Sequence, residues 1–467
     1  MPIRSSLCLM TSLVRERAIS PVELLNAHLR QIARLNPTLN AFVRLDEQRA
    51  LDAARRAEQA VMRGDAMGLL HGVPVTVKDS FDWAGEPTLC GSRFRSGHRA
   101  AHDATAVARL REAGAILLGK TNCPEFLANY ETDNHFTGRT NNPWDLERTP
   151  GGSSGGESAL IAALCSAGGI GSDGGGSVRV PAHCCGIAAL KPTPGRVSAA
   201  GHFPAIGHPG GLLGVAGPMA RTAEDVRLLF AALAGYDSQD PFSAPVPLRA
   251  PDWDGMRVGL VPDWYGVPVE AGVSHALHAA ARLLGEIGIP VDPFEPPGLE
   301  RATASWFFFF SRLPAPALRK LVGEQPGTAH WTGVELLELA ERESAPTAED
   351  MLHQFAVRDR MRAALLRAME SCPVLLLPAC GVMPWRHRQR EWTIGDRTIG
   401  LLEAMAPVTP VNLLGLPAVT VPVTVVDGLP AGVQFVGRPY DEELLLELAV
   451  RFEEARGPFP APPSALA

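Results

Sequence analysis

Serine occurs twice where glycines leave the main chain bare, in Gly151-Gly152-Ser153-Ser154-Gly155-Gly156 and in Asp173-Gly174-Gly175-Gly176-Ser177. A serine hydroxyl attacks a carbonyl only when a neighbouring base takes its proton, and uncovered backbone N–H groups beside it suit an incipient oxyanion. Upstream, Gly72-Val73-Pro74-Val75-Thr76-Val77-Lys78 alternates in strand fashion and delivers a lysine to the strand's end. A strand-end lysine commonly just reaches solvent. One drawn into a partly apolar pocket, as Val75 and Val77 suggest here, gives up its proton readily enough to act as a base. Together the three features describe acyl transfer at serine without a histidine.

Rival readings fit parts of the same region. Gly151 to Gly156 has linker composition, yet it sits between Pro150 and a helical stretch, inside a regular alternation of elements. Gly169-x-Gly171-x-x-Gly174 matches a dinucleotide fingerprint, but no acidic residue follows between Asp173 and Glu224 to hold a ribose. NAD is therefore not expected. The nucleophile elbow G-x-S-x-G is satisfied twice, and an α/β-hydrolase would use Ser154 with a downstream Asp and His275, His353 or His387. The residues before Gly151 look like loop rather than the strand an elbow requires, so this stays the alternative.

The elements that position these residues alternate along the chain. Ser20-Pro21-Val22-Glu23 is a capping box that opens a helix, and Leu51 to Val61 continues helical. Helices are expected at 103–113, 158–167, 222–234, 274–287 and 441–454, and strands at 72–78, 115–118, 256–261, 291–294, 372–377, 417–426 and 432–436. This rhythm predicts an α/β fold with a large central mixed, mostly parallel β-sheet covered by helices on both faces. One domain over 1–467 is expected, with N-terminal helices to about 65 and a variable helical cap or insertion at about 298–395.

Composition excludes several classes of function. The 467 residues carry a net charge of −7 without a long basic run, which argues against nucleic-acid and anionic-membrane partners. Apolar runs such as Trp306 to Phe310 are far too short to span a bilayer, and Met1 to Met10 does not read as a secretory leader. Eight scattered cysteines without C-x-x-C spacing suit a reducing, cytoplasmic compartment, and His183-Cys184-Cys185 cannot easily converge on one ion, so no metal is expected.

These motifs resemble the amidase signature family. The likeness is carried by Gly72 to Asp79, Pro150 to Gly156, Gly171-Ser172-Asp173-Gly174-Gly175-Gly176-Ser177-Val178-Arg179-Val180-Pro181, Leu190 to Thr193, Gly415 to Ala418 and Gly428 to Gln434, and it spans roughly residues 20 to 455. The resemblance implies that Ser177 is the nucleophile, Ser153 a bridging serine behind a cis Gly152–Ser153 peptide, and Lys78 the base. It further implies an oxyanion hole of Gly174, Gly175, Gly176 and Ser177 N–H groups, supporting roles for Ser154, Asp173 and Arg179, and no cofactor. The family usually has Thr, Ile or Asn where this chain has Gly174, which adds backbone freedom at a donor. Relatives acting on glutamine or acidic substrates tend to be polar where this chain has Val180. Val180, the 306–310 run, Trp385 and Trp392 thus point to an apolar pocket and to hydrolysis of a hydrophobic or aryl amide, extending to anilides or carbamates. The expected partner is that small molecule. A homodimer is compatible with the sequence, as is a subunit of an amidotransferase and, from another class, an inactive binding scaffold.

Overall fold

A computed structural model describes residues 2–207, 213–324 and 327–466. The chain ends at 1 and 467 and residues 325–326 of the expected cap lie outside the described residues. Thirteen strands are present among them: β1 Phe42–Leu45, β2 Pro74–Lys78, β3 Ile116–Thr121, β4 Gly168–Asp173, β5 Ala188–Lys191, β6 Val215–Ala220, β7 Val258–Leu260, β8 Val291–Pro293, β9 Val374–Pro378, β10 Glu391–Ile394, β11 Arg397–Gly400, β12 Ala418–Val426 and β13 Leu429–Val436. Eleven form one sheet in the order β1-β3-β2-β4-β6-β5-β12-β13-β9-β7-β8, and β10 pairs with β11 apart from it.

The sheet is mixed, and connection lengths explain how. β2 runs parallel to β3 and β4, and β7 parallel to β8 and β9. The β2–β3 and β7–β8 connections carry helices, Thr105–Glu112 and Ala271–Glu286, which a parallel crossover needs. β12 and β13 are instead joined by Asp427-Gly428, both at positive φ, a two-residue turn that makes antiparallel neighbours. Parallel pairing among the described residues is thus confined to two blocks flanking an antiparallel centre, a narrower distribution than the alternation alone predicts.

Side-chain alternation builds the two faces. Val75, Val77, Leu117, Ile170, Leu190 and Leu376 join one apolar cluster with Leu229 and Phe230 of helix Ala223–Leu233 and with Leu445 and Phe452 of helix Glu442–Arg456. Ile116 and Leu118 point the other way, into a cluster with Leu160 of helix Gly155–Ala162. Thr76, between two core valines, also faces that helix and donates its hydroxyl hydrogen to Glu157. Lys78, two residues on, follows on the same side.

Helix positions agree with the sequence to within a few residues, and the Ser20 capping box caps Pro21–Leu39. β1, β4, β5, β6, β10 and β11 are additions. β4 is glycine-rich because the helix and β2 come so close that a Cβ on Gly169 would overlap both Thr76 O and the Glu157 carboxylate. The 298–395 stretch supplies helices Ala302–Phe307, Ala315–Glu324, Trp331–Ala340 and Ala348–Ala368, but also β9, which lies inside the main sheet.

Candidate active site

Three segments meet at the end of β2. Lys78 closes the strand, Ser153 and Ser154 lead into helix Gly155–Ala162, and Ser172 and Asp173 close β4, whose next residues run to Ser177. Lys78 is fully buried. Its Nζ lies 2.7 Å from Ser153 Oγ, 2.9 Å from Ser154 Oγ and 3.1 Å from Ser172 Oγ. The Gly152–Ser153 peptide is cis, and Ser154 N–H donates to Ser177 O at 3.1 Å, tying the two serine segments together.

Burial lowers the Lys78 ammonium to about 8, because the charged form loses its hydration. Cys123, Cys90, Asp173 and Glu157 pull in the opposite direction without reversing the shift. Glu157 itself is pushed up to about 8 by burial, against the hydroxyls of Thr76 and Thr121. A neutral amine held against three hydroxyls is equipped to accept a proton from serine.

Asp173 organises the loop that follows. Its carboxylate accepts from Gly176 N–H at 2.7 Å, Val178 N–H at 3.1 Å and Arg179 Nε at 3.1 Å, and Asn412 Nδ2 donates to it at 2.9 Å. Burial would raise this carboxyl, but the Arg179 guanidinium and its hydrogen bonds hold it well below the usual carboxylate range. Arg179 is locked in turn by Gln434 Oε1 at 2.8 Å and by Asn412 Oδ1. Gly176, expected as an oxyanion donor, therefore has its N–H directed into the protein. The N–H groups of Gly174, Gly175 and Ser177 donate to no protein group among the described residues.

Ser153, Ser172, Asp173, Gly174 and Ser177 open on a cavity of about 550 Å³. Ser177 keeps 7% exposure, so its hydroxyl is reachable from that space. Phe126, Leu127, Phe203, Ile206, Phe309 and Phe310 make its apolar walls. Val180 does not line it: Val180 N–H donates to Gly176 O at 2.7 Å, which turns the side chain beneath the glycine loop and into the core. Trp385 and Trp392 line a different cavity, next to Arg148 and Met383. Of the aromatics expected in the pocket, Phe309 and Phe310 are there.

The histidines of the elbow alternative are elsewhere. His387 sits 3.6 Å from Glu131, and His275, His353 and His387 make no hydrogen bond to Ser154 among the described residues. Ser172, Asn412, Gln434 and Tyr130 were not singled out as site residues from sequence, and Trp306 was expected only as one of the pocket aromatics. Ser172 and Gln434 lie inside the motifs quoted above, and Asn412 borders the Gly415 motif. Tyr130 and Trp306 act on main-chain carbonyls, for which no sequence signal exists.

Among the described residues no cluster of metal-binding side chains occurs, and no helix is long and apolar enough to cross a membrane. The Amidase family model matches residues 23–446. The chain is 33% identical over 470 residues to a component of the glutamyl-tRNA(Gln) amidotransferase of Coxiella burnetii, covering 94% of this chain and 95% of that one. It is 35% identical to the indoleacetamide hydrolase of Bradyrhizobium diazoefficiens, covering 95% and 85%. Its fold superposes on a bacterial aryl acylamidase of the amidase signature family with a TM-score of 0.86 at 28% identity, over 97% and 96% of the two chains. With the match running along nearly its whole length, the chain belongs to the amidase signature family and is an amidohydrolase.

Proposed function

We propose that this enzyme hydrolyses hydrophobic or aryl amides through an acyl-enzyme on Ser177, with Ser153 as proton relay and Lys78 as base. The observation that carries the reading is the 2.7 Å approach of the buried Lys78 Nζ to Ser153 Oγ, at a cavity that Ser153 shares with Ser177. Neutral Lys78 takes the Ser153 proton, Ser153 takes that of Ser177, and Ser177 Oγ bonds to the substrate carbonyl carbon. The oxyanion receives hydrogen bonds from Gly174, Gly175 and Ser177 N–H. The relay then returns the proton to the leaving nitrogen as the C–N bond breaks, and water attacks the ester by the same path.

The walls argue for the substrate class. Among the described lining residues there is no Lys or Arg, and the one carboxylate, Asp173, is already paired with Arg179, so an acidic substrate finds no countercharge. The aryl ring of an anilide matches the apolar lining, and carbamates present the same carbonyl geometry. An assay of acyl anilides, aliphatic amides and carbamates tests the proposal: anilide turnover should dominate and should vanish in Ser177→Ala while circular dichroism stays unchanged. Preference for small charged amides, or activity surviving in Ser177→Ala, refutes it. Its amidotransferase relatives favour a second reading, membership of a larger assembly, which turnover by the isolated chain excludes. We place the enzyme in the cytoplasm, in keeping with its eight unpaired cysteines.

A further inference from the structure

Gly174 and the loop it belongs to are held from outside. Trp306, 1% exposed at the end of helix Ala302–Phe307, donates its indole N–H to Gly174 O at 2.8 Å. Phe310 stacks on the same indole, with ring centroids 4.8 Å apart and planes 18° from parallel. The two rings fill the room that side chains on the loop would need: a Cβ on Gly174 would stand 3.0 Å from Phe310 Cε2, and one on Gly175 would overlap Trp306 Cζ2. A π-helix at Phe308–Arg312 brings Phe310 back over Trp306.

A trans peptide is planar, with its C=O and N–H pointing in opposite directions. The carbonyl of Gly174 shares its plane with the N–H of Gly175, so gripping the one aims the other. The planes on either side are held by Asn412 Nδ2 on Asp173 O at 3.1 Å and by Tyr130 Oη on Gly175 O at 2.8 Å, so without the indole it is the Gly174–Gly175 plane, between two glycines, that can rotate, and a hydrogen bond weakens steeply as its donor angle departs from linear. We infer that Trp306 is a positioning residue of the amide hydrolysis reaction, holding the Gly174–Gly175 peptide so that Gly175 N–H meets the developing oxyanion. The inference rests on the Ser177 mechanism proposed above.

The test removes the indole N–H while keeping its volume, by replacing Trp306 with the isosteric 3-benzothienylalanine, alongside Trp306→Phe. Because deletion of an oxyanion donor typically costs roughly 10²–10³ in rate, a donor that is loosened rather than lost should cost about tenfold in kcat. KM should stay within about twofold, since the ground-state carbonyl gains little from the donor. Affinity for a trifluoromethyl ketone, which forms a tetrahedral adduct on serine, should fall by the same factor as kcat, while that for the corresponding methylene analogue should not. Unchanged kcat in the benzothienyl variant, or a rise in KM alone, overturns the inference even if Trp306→Phe fails to fold. Labelling of wild type at Ser177 by a fluorophosphonate separates the two proposals. Labelled, active wild type with an indifferent variant sinks only the role of Trp306, whereas unlabelled, inactive wild type sinks both.

Discussion

Lys78 at the end of β2 and Lys120 near the end of β3 are both buried, on adjacent parallel strands, yet their amines meet different partners. Lys120 Nζ is 2.9 Å from the Asp79 carboxylate, and donates to Pro87 O at 2.8 Å and Thr88 Oγ1 at 2.9 Å. Lys78 Nζ meets three serine hydroxyls and the Ser172 carbonyl. The serine hydroxyls do not offset the hydration that the Lys78 ammonium loses on burial, whereas Lys120 is tied to a carboxyl group and two further oxygens. The same residue type, one strand away, is therefore a brace in one place and, in the mechanism we propose, a base in the other.

The sharpest way to break this comparison is to remove each cation in turn. Lys78→Met should lower kcat by at least 10²–10⁴, the span of general-base catalysis, with a melting temperature within a few degrees of wild type. Equal activity would show that the amine takes no part. Lys120→Met should act on stability instead, costing about 3–5 kcal/mol in urea unfolding because the Asp79 carboxylate is left buried without its cation. A variant as stable as wild type would reduce that ion pair to a bystander. The smallest effect is in pH. Since Lys78 must be neutral to accept a proton and its ammonium is lowered to about 8, kcat/KM should climb about tenfold per unit below that value and level off above it. A profile flat from pH 6 to 9 with chemistry rate-limiting would put the active amine elsewhere.

Much of the architecture was legible because its signals are local. The Ser20 capping box, the alternation into Lys78 and the apolar stripes of the long helices each depend on neighbours a few residues away. β4 and β6 were not legible. Gly168–Asp173 has almost no side chains with which to advertise a strand, and Val215–Ala220 carries Pro218 in mid-sheet, opposite Ile170. Both exist because neighbouring strands supply pairing partners. The pocket shows the same limit: Val180 and Phe310 are equally apolar in sequence, but a helix turn buries one under the glycine loop while a π-helix brings the other to the cavity wall.

Residue order alone was enough to nominate a lysine, two serines and a glycine-rich loop for one chemistry, since each type is chosen by what its own atoms can do with a proton or an oxyanion. Which of the loop's N–H groups stay free of a protein partner among the described residues was decided only by packing. Asp173 claims the N–H of Gly176 because Arg179 and Asn412 hold its carboxylate there, and Trp306 reaches Gly174 from a helix 132 positions away. The direction of a peptide plane is a property of whatever surrounds it, and those surroundings come from parts of the chain that meet only after folding.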